Sequence, residues 1–322
     1  MADDREPRAG HPRPISGGSI QEADLSAAPD VAWRAADHSE SPFVQGLRRL
    51  RKSTTALIGA GIVAVLLMVA LFADVLAPQS PIASDQTHTF ERPSRDYPLG
   101  TDQLGRDMLS RIIHGSRISL AVGVSSVLLA LFVGVPFGMI AGYYGGRVDS
   151  IIMRAMDLIL AFPIYLLAII LMVIFAPTAG LIGTMKVTGA IAIVRIPIYA
   201  RLVRGSVLSI KEKEYIEACR AVGVRNPRIL LRHILPNCLA PIIVTTTLGI
   251  ATSIIVEATL SFLGLGTQPP TPSWGWDLKA NVAFIQSNPW ISLFPGIAIF
   301  VTVLGFNLFG DGLRDALDPR LK

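Results

Sequence analysis

The sequence EACRAVG, residues 217–223, lies in a strongly basic segment between two apolar stretches of the chain. From Arg201 to His233, this segment holds eight Lys or Arg residues and three acidic residues. An excess of Lys and Arg next to an apolar span is typical of the cytoplasmic face of a membrane. Residues 201–237 are therefore predicted to form a cytoplasmic loop.

The same loop carries the local signals of two short helices joined by a turn. Residues 209–222 favour helix, and Gly223 can adopt a left-handed backbone conformation without a Cβ penalty. Asn226 followed by Pro227 is typical of an N-cap and the first turn of a new helix. Pro236 is expected to end this second helix or to bend it into the next span. The loop is therefore predicted to fold as helix, turn and helix.

A loop of this kind resembles the EAA loop of ABC importer permeases, the element that docks on the cytoplasmic ATPase. Cys219 stands where the motif usually has Ala, and Ile234 lies one place later than the usual Ile. A cytoplasmic helix-turn-helix without a docking role is the alternative. The resemblance implies a type I importer permease fold, with these residues coupling the chain to the ATPase: Glu217, Ala218, Cys219, Gly223, Ile234, Leu235 and Pro236.

Composition indicates a protein that crosses the membrane several times. The 322 residues are 51% hydrophobic and 16% charged, with a mean hydropathy of +0.50. The pI near 9.4 does not indicate nucleic-acid binding, because the cations concentrate beside apolar spans. Both cysteines, Cys219 and Cys238, lie in or beside the basic loop, so neither a structural disulfide nor a metal cluster is expected.

The chain divides into four regions by composition. Residues 1–52 are rich in Pro, Gly, Ala and charge, and they are predicted to be a disordered cytoplasmic tail with a basic end at the membrane. Residues 53–117 are predicted to hold the first span and an extracytoplasmic loop, and residues 118–310 the core of the transmembrane domain. Residues 311–322 are predicted to be a cytoplasmic tail. The predicted fold class is an all-α membrane protein.

Six transmembrane helices are predicted, which places both termini in the cytoplasm. The fourth span is the weakest because it contains Lys186 and Arg195. Kinks are expected at Pro136, Pro163 and Pro197. The predicted spans cover about 53–73, part of 118–146, 158–176, 180–200, 238–265 and 290–309.

Several stretches outside the basic loop resemble the C-type permease subunit of dipeptide and oligopeptide importers. The resemblance covers residues 45–322 and is specific for the subfamily but not for the cargo, because related permeases carry peptides, nickel complexes, glutathione or haem. Arg195 departs from the pattern, since an aromatic residue is common at that position. The stretches that carry the resemblance are GTDQLGRD (100–107), SR (110–111), GSRISL (115–120), ARLVR (200–204), SFLGLG (261–266), QPP (268–270) and GDGLRDALDPR (310–320).

Two predicted outer loops hold candidates for contact with an extracytoplasmic substrate-binding protein, a partner that the resemblance implies. Thr101-Asp102 is a candidate N-cap for a short helix at the membrane interface. The alternatives are a helix that lies on lipid headgroups and, for the tryptophans of the loop 266–289, an aromatic belt. The candidate contact residues are Asp102, Arg106, Asp107, Trp274 and Trp276.

Glu257 and Arg195 are charged residues within predicted spans. Intramembrane charge is costly, so both are expected to face the interior of the bundle or a wet cavity. The functional interpretation is a gate or a pathway lining. The structural alternatives are a satisfied polar residue near a helix end for Glu257 and a side chain that extends toward the cytoplasmic interface for Arg195.

The sequence contains no G-x-x-x-x-G-K-[ST] phosphate loop, no Ser/His/Asp set and no His/Cys cluster with convincing spacing. The chain is therefore expected not to be an enzyme and to bind no cofactor or metal. ATP and Mg²⁺ would belong to separate ATPase subunits.

These features together predict the permease subunit of an ATP-driven importer for dipeptides, oligopeptides or peptide-like solutes in the cytoplasmic membrane. The expected partners are a homologous second permease, one or two ATPase subunits, the binding protein and membrane lipid, without nucleic acid. Import of nickel complexes, glutathione or haem by the same architecture is the alternative. A secondary transporter would need paired intramembrane carboxylates and internal repeats, and a membrane enzyme would need a catalytic constellation.

Overall fold

The computed structural model of the chain describes residues 50, 51 and 53–317. Nearly all of the predicted tail 1–52 and the last residues of the predicted tail 311–322 lie outside the described residues. The described part is helical and contains two isolated β-bridges but no strand. Its helices are α1 Thr54–Leu71, α2 Ala73–Leu76, α3 Met108–Tyr144, α4 Gly146–Leu160, α5 Ile164–Phe175, α6 Gly180–Lys211, α7 Glu214–Ala221, α8 Asn226–Ile229, α9 Leu235–Phe262, α10 Trp274–Asn281 and α11 Trp290–Leu317.

Three further short helical turns lie between these helices. A π-helical turn, Leu230–Ile234, joins α8 to α9, so Pro236 falls in the first turn of a continuing helix instead of ending one. The two others are 3₁₀ turns, Gln86–His88 and Val282–Phe284.

Five helical segments are long and apolar enough to cross a membrane, and a sixth span results if α4 and α5 count as one broken span. The five are α1, α3, α6, α11 and the continuous segment Asn226–Phe262. The predicted all-α fold of up to six spans is confirmed. At 1.5 Å per residue, the 37-residue α3 is about 55 Å long, well beyond the roughly 30 Å hydrocarbon layer.

Two helices continue past the predicted apolar spans. The helix of the second span begins at Met108, so the last ten residues of the predicted outer loop are helical. The helix of the fourth span continues to Lys211, so the first third of the predicted loop 201–237 is helical. Neither stretch contains a proline or a turn glycine that would stop the helix, and hydropathy alone marks only the part in contact with lipid.

The third predicted span is broken instead of kinked. Helices α4 and α5 meet at an angle of 87°, with Pro163 at the N-cap of α5. Proline lacks an N–H and its ring clashes with the preceding turn, which accounts for the break. By contrast, α3 and α6 continue through Pro136 and Pro197.

Small residues line the most extensive helix contact among the described residues, between α3 and α6. A Cβ added at Gly134 or Gly138 would lie 2.7 Å or 2.4 Å from a backbone oxygen of α6. Gly142 meets Val207 one turn further along. Such a small-residue stripe lets two backbones approach closely and fixes their register.

The two ends of the bundle are formed by different segments of the chain. Helix α3 begins beside α10 at what we call the loop end and finishes beside α8 at what we call the elbow end. The start of α1 and the end of α11 also meet each other, since Ala56 packs on Gly312. The elbow is defined as residues 212–229, which comprise α7, the turn at Gly223 and α8.

Candidate functional sites at the two ends of the bundle

The elbow turns at Gly223 through a helix C-terminal motif that only glycine enters without strain. Its φ is +77°, in the left-handed region. The Gly223 N–H donates to the carbonyl of Arg220 at 2.9 Å, and the Val224 N–H donates to the carbonyl of Cys219 at 3.0 Å. These two bonds form a Schellman motif, which satisfies the last carbonyls of α7 and reverses the chain. The sequence signal at Gly223 therefore has a definite structural cause.

The second arm of the elbow differs in one detail from the sequence prediction. The N-cap of α8 is Arg225, with Asn226 and Pro227 inside the first turn. The Asn226 side chain does not cap the helix and instead accepts a hydrogen bond from Tyr143. A proline is tolerated in the first turn wherever the cap falls, so Pro227 indicated the helix but not its exact first residue.

An apolar core fixes the elbow to the ends of α3, α6 and α9. Ile216 of α7 and Ile229 of α8 are fully buried, as is Ile234 of the π turn. They pack with buried residues of the three spans, which are Met139, Tyr143, Val203, Val207, Ile210, Cys238 and Ile242. Because this core includes residues from all three spans, a displacement of the elbow acts on the bundle and not on a free loop.

The predicted coupling residues divide between this core and the surface. Ile234 is buried, while Cys219 and Leu235 are partly buried against the same core. The other four, Glu217, Ala218, Gly223 and Pro236, are exposed. The exposed members lie among cations, including Arg220, Arg225 and Arg228, so the elbow presents a basic surface with Glu217 within it.

At the loop end, a charged cluster of Asp102, Arg106, Arg111 and Asp277 is buried inside the chain. Asp102 accepts hydrogen bonds from the backbone N–H and Nε of Arg106 at 3.0 and 2.6 Å. Arg111 of α3 donates Nε to Oδ1 of Asp277 in α10 at 2.8 Å. Burial raises the pKa of Asp277, and the charge of Arg111 opposes that rise. The cluster therefore holds the loop before α3 and the loop after α9 on the same helix end.

The N-cap expected at Thr101-Asp102 was wrong, and no separate interfacial helix follows it. Asp107 caps α3 itself, since its Oδ2 accepts from the N–H of Ser110 at 2.8 Å. Asp102 instead accepts from the N–H of Leu104 in a tight turn. Both aspartates precede a helix-compatible stretch, but Gly105, at φ +70°, separates the turn from the helix.

The candidate contacts for a binding protein are mostly internal. The side chains of Asp102, Arg106 and Asp107 are almost fully buried. Trp274 is 1% exposed and donates Nε1 to the carbonyl of Ile112 at 2.9 Å, so it is not part of an aromatic belt. Trp276 is partly exposed and carries Lys279 Nζ at 4.7 Å from its ring centroid. Any contact with another protein would use the surface that these side chains support.

Glu257 joins three elements deep in the loop-end half of the bundle. Its side chain is fully buried and accepts hydroxyl hydrogen bonds from Ser119 of α3 at 3.1 Å, Ser261 of α9 at 2.8 Å and Ser273 at 3.1 Å. Ser273 is the N-cap of α10. No cationic side chain of residues 53–317 forms an ion pair with it. Glu257 therefore lies where α3, α9 and the outer loop meet.

Arg195 faces the interior of the bundle and does not extend toward an interface. Its guanidinium donates Nε to Ser253 Oγ at 2.7 Å and Nη2 to the carbonyl of Gly249 at 2.5 Å. It lines a cavity of about 20 Å³ between α5, α6 and α9. Within the described residues it has no acidic partner, so the charge is held by neutral groups alone. The interior location expected for both intramembrane charges is confirmed.

Sequence reasoning missed the partners that complete these sites. Asp277 carries no local signal of its role, because its partner Arg111 is 166 residues away. Ser119, Ser261 and Ser273 are ordinary residues of apolar or turn segments until Glu257 is placed among them. Tyr143 could have been found as an aromatic residue at the end of α3, two residues before the glycine pair Gly145-Gly146.

A helical bundle of five or six spans, with a folded elbow between two of them, is the architecture of a membrane transport subunit. The family model for the binding-protein-dependent transport system inner membrane component matches residues 134–322. The model for the N-terminal TM domain of oligopeptide transport permease C matches residues 41–93. The chain belongs to the family of binding-protein-dependent transport system inner membrane components, and the predicted membership in the C-type permease subfamily is confirmed.

Individual relatives support this assignment. The chain is 46% identical over 282 residues to the dipeptide transport system permease protein DppC of Alkalihalophilus pseudofirmus, covering 88% of this chain and 91% of that protein. It is 44% identical over 303 residues to the glutathione transport system permease protein GsiD of Escherichia coli O157:H7, covering 94% and 97%. The di/tripeptide permease DppC of Pseudomonas aeruginosa is 42% identical over 288 residues, covering 88% and 93%.

A solved structure supports the fold. An inward-facing structure of the MetNI methionine ABC transporter matches with a TM-score of 0.54 at 17% sequence identity. The match covers 66% of this chain and 98% of that chain. The predicted type I importer permease fold is confirmed.

Proposed function

We propose that this chain is the permease subunit through which an ATP-driven importer moves dipeptides, oligopeptides or peptide-like solutes across the cytoplasmic membrane. The observation that carries the proposal is the elbow, with Glu217 and Ala218 exposed just before a Schellman turn at Gly223. The relatives named for dipeptide and di/tripeptide transport support the cargo class.

The elbow is the element on which a separate ATPase subunit docks. Its exposed face offers a basic surface, and its buried face packs on the ends of three spans. A partner that binds this surface differently in its open and closed forms would shift the equilibrium between two arrangements of the spans. ATP and Mg²⁺ are bound by that partner, so this chain supplies no hydrolytic group.

The remaining partners follow from the two ends of the bundle. The elbow end faces the cytoplasm, together with both termini, because its loop is the most cationic part of the spanning region. The contact of Ala56 with Gly312 supports a common side for the two terminal segments. The loop end faces an extracytoplasmic substrate-binding protein, and a homologous second permease completes the pore.

Arg195 and Glu257 are the candidate residues of the translocation pathway. Arg195 lines the small cavity between α5, α6 and α9, and it holds a charge without an acidic partner among the described residues. Glu257 lies between two spans and the outer loop. Charge at this depth is costly, which supports a role beyond packing for both side chains.

Glutathione import is the second candidate, supported by the relative named for glutathione transport. Nickel complexes and haem remain alternatives within the same architecture. The cargo is tested by reconstituting this chain with the second permease, the ATPase and the binding protein, then measuring ATP-dependent uptake of labelled dipeptides, glutathione and nickel. Saturable uptake of a dipeptide is expected. Uptake of glutathione or nickel alone would replace the proposed cargo.

Two simpler measurements test the assignment of roles. The chain purified without partners should hydrolyse no ATP, and hydrolysis in a preparation free of ATPase subunits would contradict the proposal.

The orientation of the chain in the membrane is read from single cysteines at the exposed positions Val222 and Ser287, with Cys219 and Cys238 replaced. An impermeant thiol reagent should label only residue 287 from outside intact cells.

A further inference from the structure

One side chain of α3, Tyr143, contacts both arms of the elbow. Its hydroxyl donates a hydrogen bond to Asn226 Oδ1 of α8 at 2.8 Å. The guanidinium carbon of Arg220 in α7 lies 5.2 Å from the centroid of its ring, within the range of a cation–π contact. Tyr143 is also 92% buried in the apolar core beneath the elbow, so its position is fixed by packing.

These contacts differ in kind from the rest of the elbow's attachment. The apolar core resists separation of the elbow from the spans but has little directional preference. A hydrogen bond and a cation–π contact depend on angle as well as distance, so they constrain sliding and rotation. Among the described residues, the other side-chain hydrogen bond between the elbow and a span joins Asn237 to Tyr215 at 3.4 Å, and it is long.

Helix α3 connects this contact to the opposite end of the molecule. Along its length, Ser119 reaches Glu257, Ile112 accepts from Trp274, and Arg111 pairs with Asp277. The first of these contacts leads to α9, and the other two lead to α10. One continuous helix, α3, therefore links the elbow to α9 and α10 at the loop end.

We propose that Tyr143 is a positioning residue that transmits displacement of the elbow to α3, and through α3 to the outer loop. This inference rests on the proposed function, because it takes the elbow as the element that the ATPase moves. With the contact intact, the elbow and α3 move as one unit between the two states of the permease. Without it, the elbow still binds the ATPase and the apolar core still links it to α3, but α3 follows the elbow less closely.

The test separates coupling from assembly. In the reconstituted complex, Tyr143→Phe removes the hydroxyl and keeps the ring, while Asn226→Ala removes the acceptor. The matched control is Tyr144→Phe, which removes a hydroxyl from the adjacent residue. The Tyr144 side chain is 53% exposed. The readout is the number of solute molecules imported per ATP hydrolysed, beside co-purification of the ATPase. An ordinary hydrogen bond corresponds to a factor of about five in an equilibrium.

Tyr143→Phe and Asn226→Ala should each lower the solute-to-ATP ratio by about fivefold, with co-purification within twofold of the wild type. The double variant should fall no further than either single variant, because both remove the same bond. Tyr144→Phe should keep the wild-type ratio. An unchanged ratio in Tyr143→Phe, an equal fall in Tyr144→Phe, or multiplying losses in the double variant would overturn the proposal.

A conformational measurement tests the far end of the same path. The thiol labelling rate of Ser287→Cys should change when ATP is added to the complex, and this change should be smaller with Tyr143→Phe, which loses the hydroxyl but keeps the ring. Retention of the full ATP-dependent change in Tyr143→Phe would overturn transmission through Tyr143. Failure of the proposed function has a different signature, in which even the wild-type chain retains no ATPase subunit on purification.

Discussion

The elbow and the charged cluster at the loop end use polar side chains in opposite ways. At the elbow, charged groups are exposed and the attachment to the spans is mainly apolar, through residues such as Ile216 and Ile229. At the loop end, Arg111 and Asp277 are buried together and link segments 166 residues apart. The elbow therefore keeps its charged side chains at the surface, where the proposed ATPase would bind, whereas the charged cluster holds the chain's own loops together.

The difference predicts where substitutions unfold the protein and where they only uncouple it. A buried ion pair leaves an unpaired charge when one partner is removed, whereas an exposed charge returns to water. Substitutions at the charged cluster should therefore lower thermal stability in detergent. Substitutions of exposed charged side chains on the elbow should lower transport without that loss.

The largest effect on stability is expected for Arg111→Met, which leaves Asp277 buried without its cation. A loss of about 3–5 kcal/mol in the free energy of unfolding is expected. The double variant Arg111→Met with Asp277→Leu should recover most of it, because no unpaired charge remains. The measurement is thermal unfolding of the purified chain in detergent.

Arg201→Met is the matched control for this prediction. Arg201 also pairs with an aspartate, Asp157, but both side chains are more than half exposed. A surface pair contributes about 1 kcal/mol or less, so the control should change little. Equal losses for Arg111→Met and Arg201→Met would show that burial does not distinguish the two pairs.

The same contrast explains what the sequence could predict. The elbow was predicted closely because its signals are local, with Gly223, Pro227 and the basic charge all within residues 201–233. The spans were predicted from apolar length, but their ends were not, because α3 and α6 continue as helix beyond the lipid. The 87° break at Pro163 was expected only as a kink, since neighbouring helices decide how far a proline bends a chain.

The charged cluster could not be predicted for a different reason. Asp102, Arg106 and Asp277 carry no pattern that distinguishes a buried charge from a solvated one. Their burial depends on two loops meeting on the end of α3, which is a property of the tertiary fold. The candidate contacts for a binding protein were chosen from these loops as surface residues, and four of the five lie inside.

Gly223→Val should have the second largest effect. No atom lies within 4 Å of the added Cβ, so the strain comes from the backbone, whose φ of +77° disfavours a β-branched residue. A local cost of about 1–2 kcal/mol is expected, with normal insertion in the membrane and at least tenfold loss of uptake and ATPase association. Gly205→Val is the control, because Gly205 has similar free space and an ordinary helical conformation. Normal uptake and co-purification in Gly223→Val would favour the alternative, a cytoplasmic helix-turn-helix without a docking role.

Glu257→Gln should have a smaller effect on stability than either variant above. The amide keeps one oxygen for Ser261 and Ser273, and the Ser119 hydroxyl can rotate to accept from the new amide. A change of about 1 kcal/mol or less is expected, against about 1–3 kcal/mol for Glu257→Leu, which leaves three hydroxyls without their acceptor. A loss in Glu257→Gln as large as that in Arg111→Met would show that the negative charge itself holds the three elements together.

Glu217→Lys should leave stability unchanged within about 0.5 kcal/mol, because the side chain is exposed. It should nevertheless lower ATPase co-purification about tenfold, since it reverses a charge on the exposed face to which the proposed ATPase would bind. Glu212→Lys is the matched control, since Glu212 is also an exposed acid but lies at the first residue of the elbow, before α7. If both variants lose the partner equally, the effect comes from net charge on the loop. If only Glu217→Lys loses the ATPase, the partner recognises a specific position on the elbow. The elbow can then lose its function while the fold, which the charged cluster at the other end maintains, stays intact.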